Sequence, residues 1–282
     1  MPAPDRILTF LRQAVVLVRG TPGRRGRVVE PENCTEVLVA GDLHGHVPHF
    51  HGVMKAADLG NHPGRHVVFQ ELIHGNFRYP NGADKSHQLV DLFALLKIQF
   101  PRQVHYIPGN HELAQWTGRT VLKADADLNT LFEQGPAAAY GPVFGPQVYQ
   151  TYLDLFKSLP VVLRTPNRVL VSHSLPAARI MPAFDPGRLR ATEYADVDLQ
   201  PGGSVHAVLW GRDVTAANCA EYLRRMDADL LVSGHIASDT GFSVPNDRQL
   251  IVDCSESPAA YVLFPAARPL THADLVGCVR TV

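Results

Sequence analysis

The 282-residue chain reads as blocks of apolar positions with two different periods. Residues 6–19 set Ile7, Phe10, Leu11, Val15 and Val18 at near-helical spacing, which predicts one amphipathic helix, broken by the turn-forming stretch 21–27. Short continuous apolar runs at 35–40, 65–70 and 103–107 predict buried strands. They alternate with predicted helices around 47–58 and 87–100, the second stopped by Pro101. Strand–helix alternation of this kind predicts an α/β region whose sheet faces are covered. Residues 113–158 read as mostly helical, interrupted by Gly-Pro pairs at 135–136, 141–142 and 145–146. Runs at 160–164 and 168–172 predict a hairpin about Thr165-Pro166-Asn167. Runs at 206–210, 229–233, 248–253 and 259–264 predict further strands with hairpin-like connections. No internal repeat is present. Residues 1–28, with six Arg and one Asp, are read as an N-terminal helical arm packed on the body, and 29–282 as one domain.

Composition narrows the class. Hydrophobic residues make up 45% and charged residues 19%, which excludes a disordered chain. The net charge of −1 leaves no basic footprint for nucleic acid in the totals. The four cysteines are far apart and form no C-x-x-C pair, so reduced, buried thiols are expected. Arg12 interrupts the first apolar stretch and no small-residue cleavage site follows. No apolar run approaches the length of a membrane span. The expected location is the cytoplasm, with neither a membrane nor a nucleic acid as partner. The one excess is histidine, at 14 residues, the side chain most often used for metal binding and proton transfer.

The order of the chain gives that excess a place. Five predicted strands run into polar clusters: Gly41-Asp42-Leu43-His44-Gly45, Glu71 with His74, Gly109-Asn110-His111-Glu112, His173, and Gly234-His235. Loops at the carboxyl ends of strands are where α/β sheets collect ligands. Asp42, His44, Glu71, Asn110, His173 and His235 offer carboxylates, an amide oxygen and imidazoles, a set suited to two divalent ions such as Mn²⁺, Fe²⁺ or Zn²⁺. A carboxylate set between two ions can bridge them. Cysteine is absent from the set, which argues against a closed structural zinc site. Taken singly each motif is weak, since Gly41–Gly45 could be a turn and Asn110 a helix cap.

These motifs resemble those of the calcineurin-like metallophosphoesterases, and within them the phosphoprotein phosphatase type, which includes serine/threonine phosphatases and diadenosine tetraphosphatases. The resemblance covers roughly residues 35–265. It implies a β-sandwich flanked by helices, in the α/β (α+β) class, with the site at the strand ends. It implies a metal-dependent phosphoric ester hydrolase in which a hydroxide between two metals attacks a phosphomonoester, on a phosphorylated protein Ser or Thr or on a small molecule. By resemblance, Asp42 and His44 bind one ion, Asn110, His173 and His235 the other, and Glu71 bridges both. His111 is then the general acid for the leaving oxygen.

The second motif departs from the family's G-D-x-x-D-R-G, reading Gln70-Glu71-Leu72-Ile73-His74-Gly75-Asn76. Glu71 adds a methylene, so the ion spacing or the loop path must adjust. His74 stands where the resemblance places an acid that orients the catalytic histidine, either bonding His111 or standing by. Gly75 stands where a phosphate-clamping arginine is implied, and Pro108 fills another common arginine position. Arg212 is expected to supply a clamp, its competing reading being an ion pair with Asp213. Arg78 is the weaker stand-in, its plain reading also an ion pair. Two rivals stay open: a dinucleotide polyphosphate hydrolase, which extra cations near the site would favour, and a scaffold protein that has lost turnover. Arg119 and Lys123 give only a modest hint of the first.

Overall fold

The apolar stripe of the first segment becomes helix α1 (Pro4–Arg19), opened by proline and closed where Gly20 donates to Val16 O. The computed structural model describes residues 3–123 and 125–282. α1 buries Ile7, Leu8, Leu11, Ala14 and Val18 in the main core and lies against α3 (His87–Gln99) and α5 (Leu128–Ser158, broken at Gly141). Lys97 of α3 ties this layer down. Its buried ammonium donates to Thr21 Oγ1, Pro101 O and Val104 O at 2.8–3.0 Å.

Two sheets form the centre. In the first, β3 (Glu36–Asp42), β4 (Arg65–Gln70) and β5 (Val104–Ile107) run parallel. β13 (Ala260–Pro265) and β14 (Val279–Thr281) extend it antiparallel on the far side of β3. The second sheet is ordered β1 (Arg24–Arg25), β2 (Val28–Val29), β8 (Val162–Arg164), β9 (Val169–Ser172), β10 (Leu230–Ser233), β12 (Gln249–Val252), β11 (Phe242–Ser243). Strands buried on both faces read as unbroken apolar runs, and their alternation survives only in which face each residue serves. Val37, Val39, Val68 and Ile107 meet Val169, Val171, Val232 and Leu250 between the sheets. Leu38, Ala40, Val67 and Phe69 turn outward against α1, α2 (Val47–Ala57), α3 and α5. Leu170 and Leu231 turn outward against α8 (Ser204–Trp210) and α9 (Ala216–Met226). The result is a two-sheet sandwich covered by helices on both sides, as the resemblance implies.

Two readings of the sequence are corrected. Residues 206–210, expected as a strand, lie in helix α8. Val205, Val208 and Leu209 fall at positions i, i+3 and i+4 and all enter one core, which is helical spacing hidden in a short valine-containing run. The strands of the second half are not all joined by hairpins. β8 and β9 pair antiparallel as expected, but β10 pairs parallel to both β9 and β12. The β9–β10 crossover carries α6 (Pro186–Leu189), α7 (Asp196–Leu199), α8 and α9. Helix α4 (Asn110–Thr117) begins at the third motif, and the strand pair β6 (Leu122–Lys123) and β7 (Ala126–Asp127) separates it from α5. The cysteines are free, with Cys34, Cys219 and Cys254 buried and Cys278 half-buried. No described helix is long and apolar enough to cross a membrane.

The sheets converge at the carboxyl end of β3. Asp42 forms an isolated parallel bridge with Asp253, and Gly41 packs so close to Val252 O that a Cβ would lie 2.0 Å from it. Because α1 is part of the core, Leu11→Ala should lower the unfolding free energy by about 2–5 kcal/mol. Urea denaturation measures this, and a loss near zero would mean that α1 contributes no packing.

Candidate metal centre

Each motif residue sits at or just past the end of a strand. Asp42 ends β3 and His44 lies in the following turn. Glu71 follows β4, Asn110 and His111 open α4 after β5, His173 follows β9, and His235 follows β10. His44, Glu71, His74 and His235 all have positive φ, from 37° to 68°. Left-handed backbone is unfavourable for such side chains and collects at functional sites when the surroundings enforce it. Here four of the nine described non-glycine residues with positive φ fall in one cluster.

Glu71, 2% exposed, is at its centre. Its Oε1 accepts from His111 N at 2.9 Å, while Oε2 lies 3.3 Å from His44 Nε2 and 3.6 Å from His173 Nε2. His173 Nε2 is also 3.2 Å from Asn110 Oδ1 and 3.1 Å from His235 Nδ1. Asp42 Oδ2 accepts from His235 N at 2.8 Å, and its Oδ1 faces His173 Nδ1 at 3.4 Å, out of line for a hydrogen bond. Two groups with metal-ligand spacing result, His44–Glu71–His111 and Asp42–Glu71–His173, and Glu71 belongs to both.

The donor set fits cations. A carbonyl oxygen only accepts, so the 2.8 Å contact of His44 Nδ1 with Ile73 O requires the proton on Nδ1. The neutral ring then turns a bare Nε2 toward the Glu71 carboxylate, an arrangement relieved by a proton or a metal ion between them. With protons alone, burial would lower His44, but its contacts with Glu71 win and raise it to about 10. Burial likewise acts to raise Glu71, but His173, His111 and His44 together hold its carboxyl well below the usual range. Burial raises Asp42. His235 falls to about 2 through burial and the neighbouring His173, leaving a neutral ring of the kind a metal needs. Asp42 Oδ1 and His173 Nδ1 are buried without a hydrogen-bond partner.

The profile of the calcineurin-like phosphoesterases matches residues 35–239. The chain belongs to that family. Membership implies divalent metal ions. Among curated proteins, the chain is 29% identical to a probable serine/threonine-protein phosphatase of Encephalitozoon cuniculi, over 93% of this chain and 57% of that protein. It thus spans little more than half of the relative's length. Among solved structures, it resembles a protein serine/threonine phosphatase from Saccharomyces cerevisiae, with a TM-score of 0.68 at 16% identity, over 100% of this chain and 90% of that one. It also resembles a cold-active protein-tyrosine phosphatase of a psychrophilic Shewanella species, with a TM-score of 0.60 at 15% identity, over 94% and 83%. At such identities these two likenesses establish the shared fold alone.

The remaining residues of interest divide clearly. His74 is not a bystander, because its Nδ1 lies 2.7 Å from His111 Nδ1. Arg212 donates to His235 O at 3.2 Å. Asp213 instead accepts from Ala178 N and from the Thr215 backbone and hydroxyl. Arg78 pairs with buried Asp84 at 3.0 Å, the plain reading. His49 is buried between Cys254 O and Ser257 Oγ. Sequence reading assigned no role to Glu112. Fully buried, it accepts from Leu72 N, Ile73 N, Gly109 N and Tyr106 hydroxyl, and so clamps the Glu71 loop to the start of α4. Its signal in the sequence was a glutamate at the third position of the helix, where it accepts from Gly109 N.

Gly109 leaves room for the longer acid. A Cβ there would lie 2.1 Å from Glu71 Oε1 and 2.7 Å from Glu71 Cβ. Gly109→Ala should therefore displace the carboxylate and weaken manganese binding at least about tenfold, by analogy with disturbed ligand support. Titration calorimetry with Mn²⁺ reads this out, and unchanged affinity would remove Glu71 from the ligand set.

Proposed function

We propose that the chain hydrolyses phosphomonoesters at this cluster, with Asp42, His44, Glu71, Asn110, His173 and His235 holding two divalent ions. The observation that carries the reading is the sharing of the buried Glu71 carboxylate by both metal-capable groups, with His111 beside it. When bound, such ions neutralise phosphoryl oxygens and lower the pKa of water to near neutrality. The identity of the ions is open among Mn²⁺, Fe²⁺ and Zn²⁺, because this donor set accepts each.

The chain's own residues do the rest. Phosphoryl transfer is governed by positioning and charge stabilisation. His111 lines the cavity over the cluster and supplies the leaving oxygen with a proton. His74 fixes the Nδ1 side of that ring. Arg212, held against His235 O, brings a guanidinium to the edge of the cluster, where it clamps a phosphate oxygen.

The cavity, of about 810 Å³, favours a phosphomonoester over a dinucleotide polyphosphate. Its lining contains Asp239, Asp253 and Glu256 against a single Lys or Arg, Lys123, which would repel a tail of several phosphates. The exposed side chains of Phe77 and Leu122 on its wall favour a polypeptide carrying apolar residues near the phosphate. The scaffold reading is less favoured, since a protein without turnover has no use for a positioned His111.

With Mn²⁺, the purified protein should hydrolyse p-nitrophenyl phosphate and phosphopeptides faster than diadenosine tetraphosphate. Asp42→Ala should abolish turnover. Absence of hydrolysis with every divalent ion across several pH values sinks the enzyme reading. A preference for the dinucleotide overturns the substrate class. Arg212→Ala should lower kcat/KM on the order of 10²-fold, with Arg212→Lys only partly better. Steady-state kinetics on a phosphopeptide tests this, and wild-type values in both variants would reduce Arg212 to a surface residue.

A further inference from the structure

Behind His74 lies a residue to which the motifs assign nothing. Gln115 sits one helical turn after His111 on α4, on the same face, and is 4% exposed. Its side-chain amide touches three groups. Nε2 is 3.2 Å from Asn129 O and 2.7 Å from Tyr149 hydroxyl, and Oε1 is 2.8 Å from His74 Nε2. A backbone carbonyl can only accept, so the NH₂ end must face Asn129 and Oε1 must face His74. This settles the amide's direction by chemistry.

The consequences pass along the chain of contacts. Gln115 Oε1 can only accept, so His74 Nε2 carries a proton. Burial, followed by the neighbouring His111, lowers His74 to about 3, which keeps its ring neutral with one N–H. Its Nδ1 is then a bare acceptor. The 2.7 Å contact between the two Nδ1 atoms must therefore be His111 Nδ1–H donating to His74. His111 keeps that proton throughout, and Nε2 is the nitrogen left to hold and release the mobile one. The rings have little freedom to do otherwise. His74 N donates to Ser86 Oγ at 3.0 Å, and Phe132 meets the His74 ring edge-on at 5.9 Å between centroids.

We infer that Gln115 is a positioning residue for proton delivery: by accepting from His74 it sets the tautomer of His74 and thereby presents Nε2 of His111 to the leaving oxygen. This rests on the phosphoesterase reading. In that step a water oxygen forms the new P–O bond as the P–O bond to the leaving group breaks. That bond's electron pair goes to the leaving oxygen and the Nε2 proton of His111 follows it, while a proton of the attacking water passes to solvent, from which Nε2 is reprotonated. The Nδ1–H of His111 stays in place, donating to His74 Nδ1. Without an acceptor at position 115, His74 can place its proton on Nδ1, where it opposes His111 Nδ1–H donor to donor.

The test compares Gln115→Leu, which removes the acceptor, with Gln115→Glu, which keeps one in the same place. Proton delivery matters most for a poor leaving group. On phenyl phosphate, Gln115→Leu should lower kcat on the order of 10²-fold with KM nearly unchanged. On 2,4-dinitrophenyl phosphate the loss should be small, and Gln115→Glu should recover most of the difference. In a His111→Ala background, Gln115→Leu should cost nothing further. Equal losses on both esters, no recovery with Glu, or an added loss in the His111→Ala background each overturn the inference. Independently of turnover, ¹⁵N spectra of the zinc-loaded protein should show His74 protonated at Nε2 and bare at Nδ1, and Gln115→Leu should change that pattern. The opposite tautomer in the wild type overturns the inference even if hydrolysis is normal. The expected tautomer in a protein without hydrolysis leaves the relay standing and removes the enzyme reading instead.

Discussion

The site is built around one buried carboxylate. Glu71, 2% exposed, would be costly to ionise alone, since removing a charge from water is repaid only by close counter-charges and aligned donors. The structure supplies both. His111 N donates to one oxygen, and the His44 and His173 rings face the other. These come from three different strand ends in two sheets, so the carboxylate can be held only if β3, β4, β5 and β9 meet in one place. The added methylene of Glu71 is absorbed locally: its backbone takes φ of 37°, and Gly109 leaves empty the space its carboxylate fills. The path of the loop accommodates the longer side chain.

Much of this was readable from the chain. Strand ends are marked by apolar runs stopping at polar residues, and the runs 35–40, 65–70, 103–107 and 229–233 each lead into a residue of the cluster. The limits of the reading are equally physical. Residues 206–210 carry Val208 and Leu209 in a short apolar run, and periodicity over five residues cannot separate a strand from a helix. The parallel pairing of β9 with β10 depends on a crossover whose helices are mostly too short to leave a pattern. Glu112 and Gln115 were legible as residue types, but their roles depend on direction. One points back at the Glu71 loop and the other at His74, and spacing along α4 carries no information about what lies opposite. The sequence ranked Arg212 above Arg78 as the clamp but could not show what engages either side chain. What separates them is that Asp84 engages one arginine while the other reaches His235.

The exchange of an acid for His74 follows from the same charge balance. Asp42, Glu71 and Glu112 are already three buried carboxylates within one cluster, and burial pushes two of them upward. A fourth carboxylate at position 74 would orient His111 strongly but add to that load, since like charges in a low-dielectric site oppose one another. A neutral imidazole orients the ring without adding charge, provided something fixes which of its nitrogens accepts. The amide of Gln115, itself aimed by Asn129 O and Tyr149 hydroxyl, meets that condition with neutral groups throughout. Direction is preserved and charge is given up. His111 is left without an anionic partner on its Nδ1 side, so stabilisation of its protonated form must come from Glu71 and from the substrate's own phosphate. The divergent second motif is thus compatible with an intact proton path, because the geometry that the acid would provide is rebuilt one helical turn along α4.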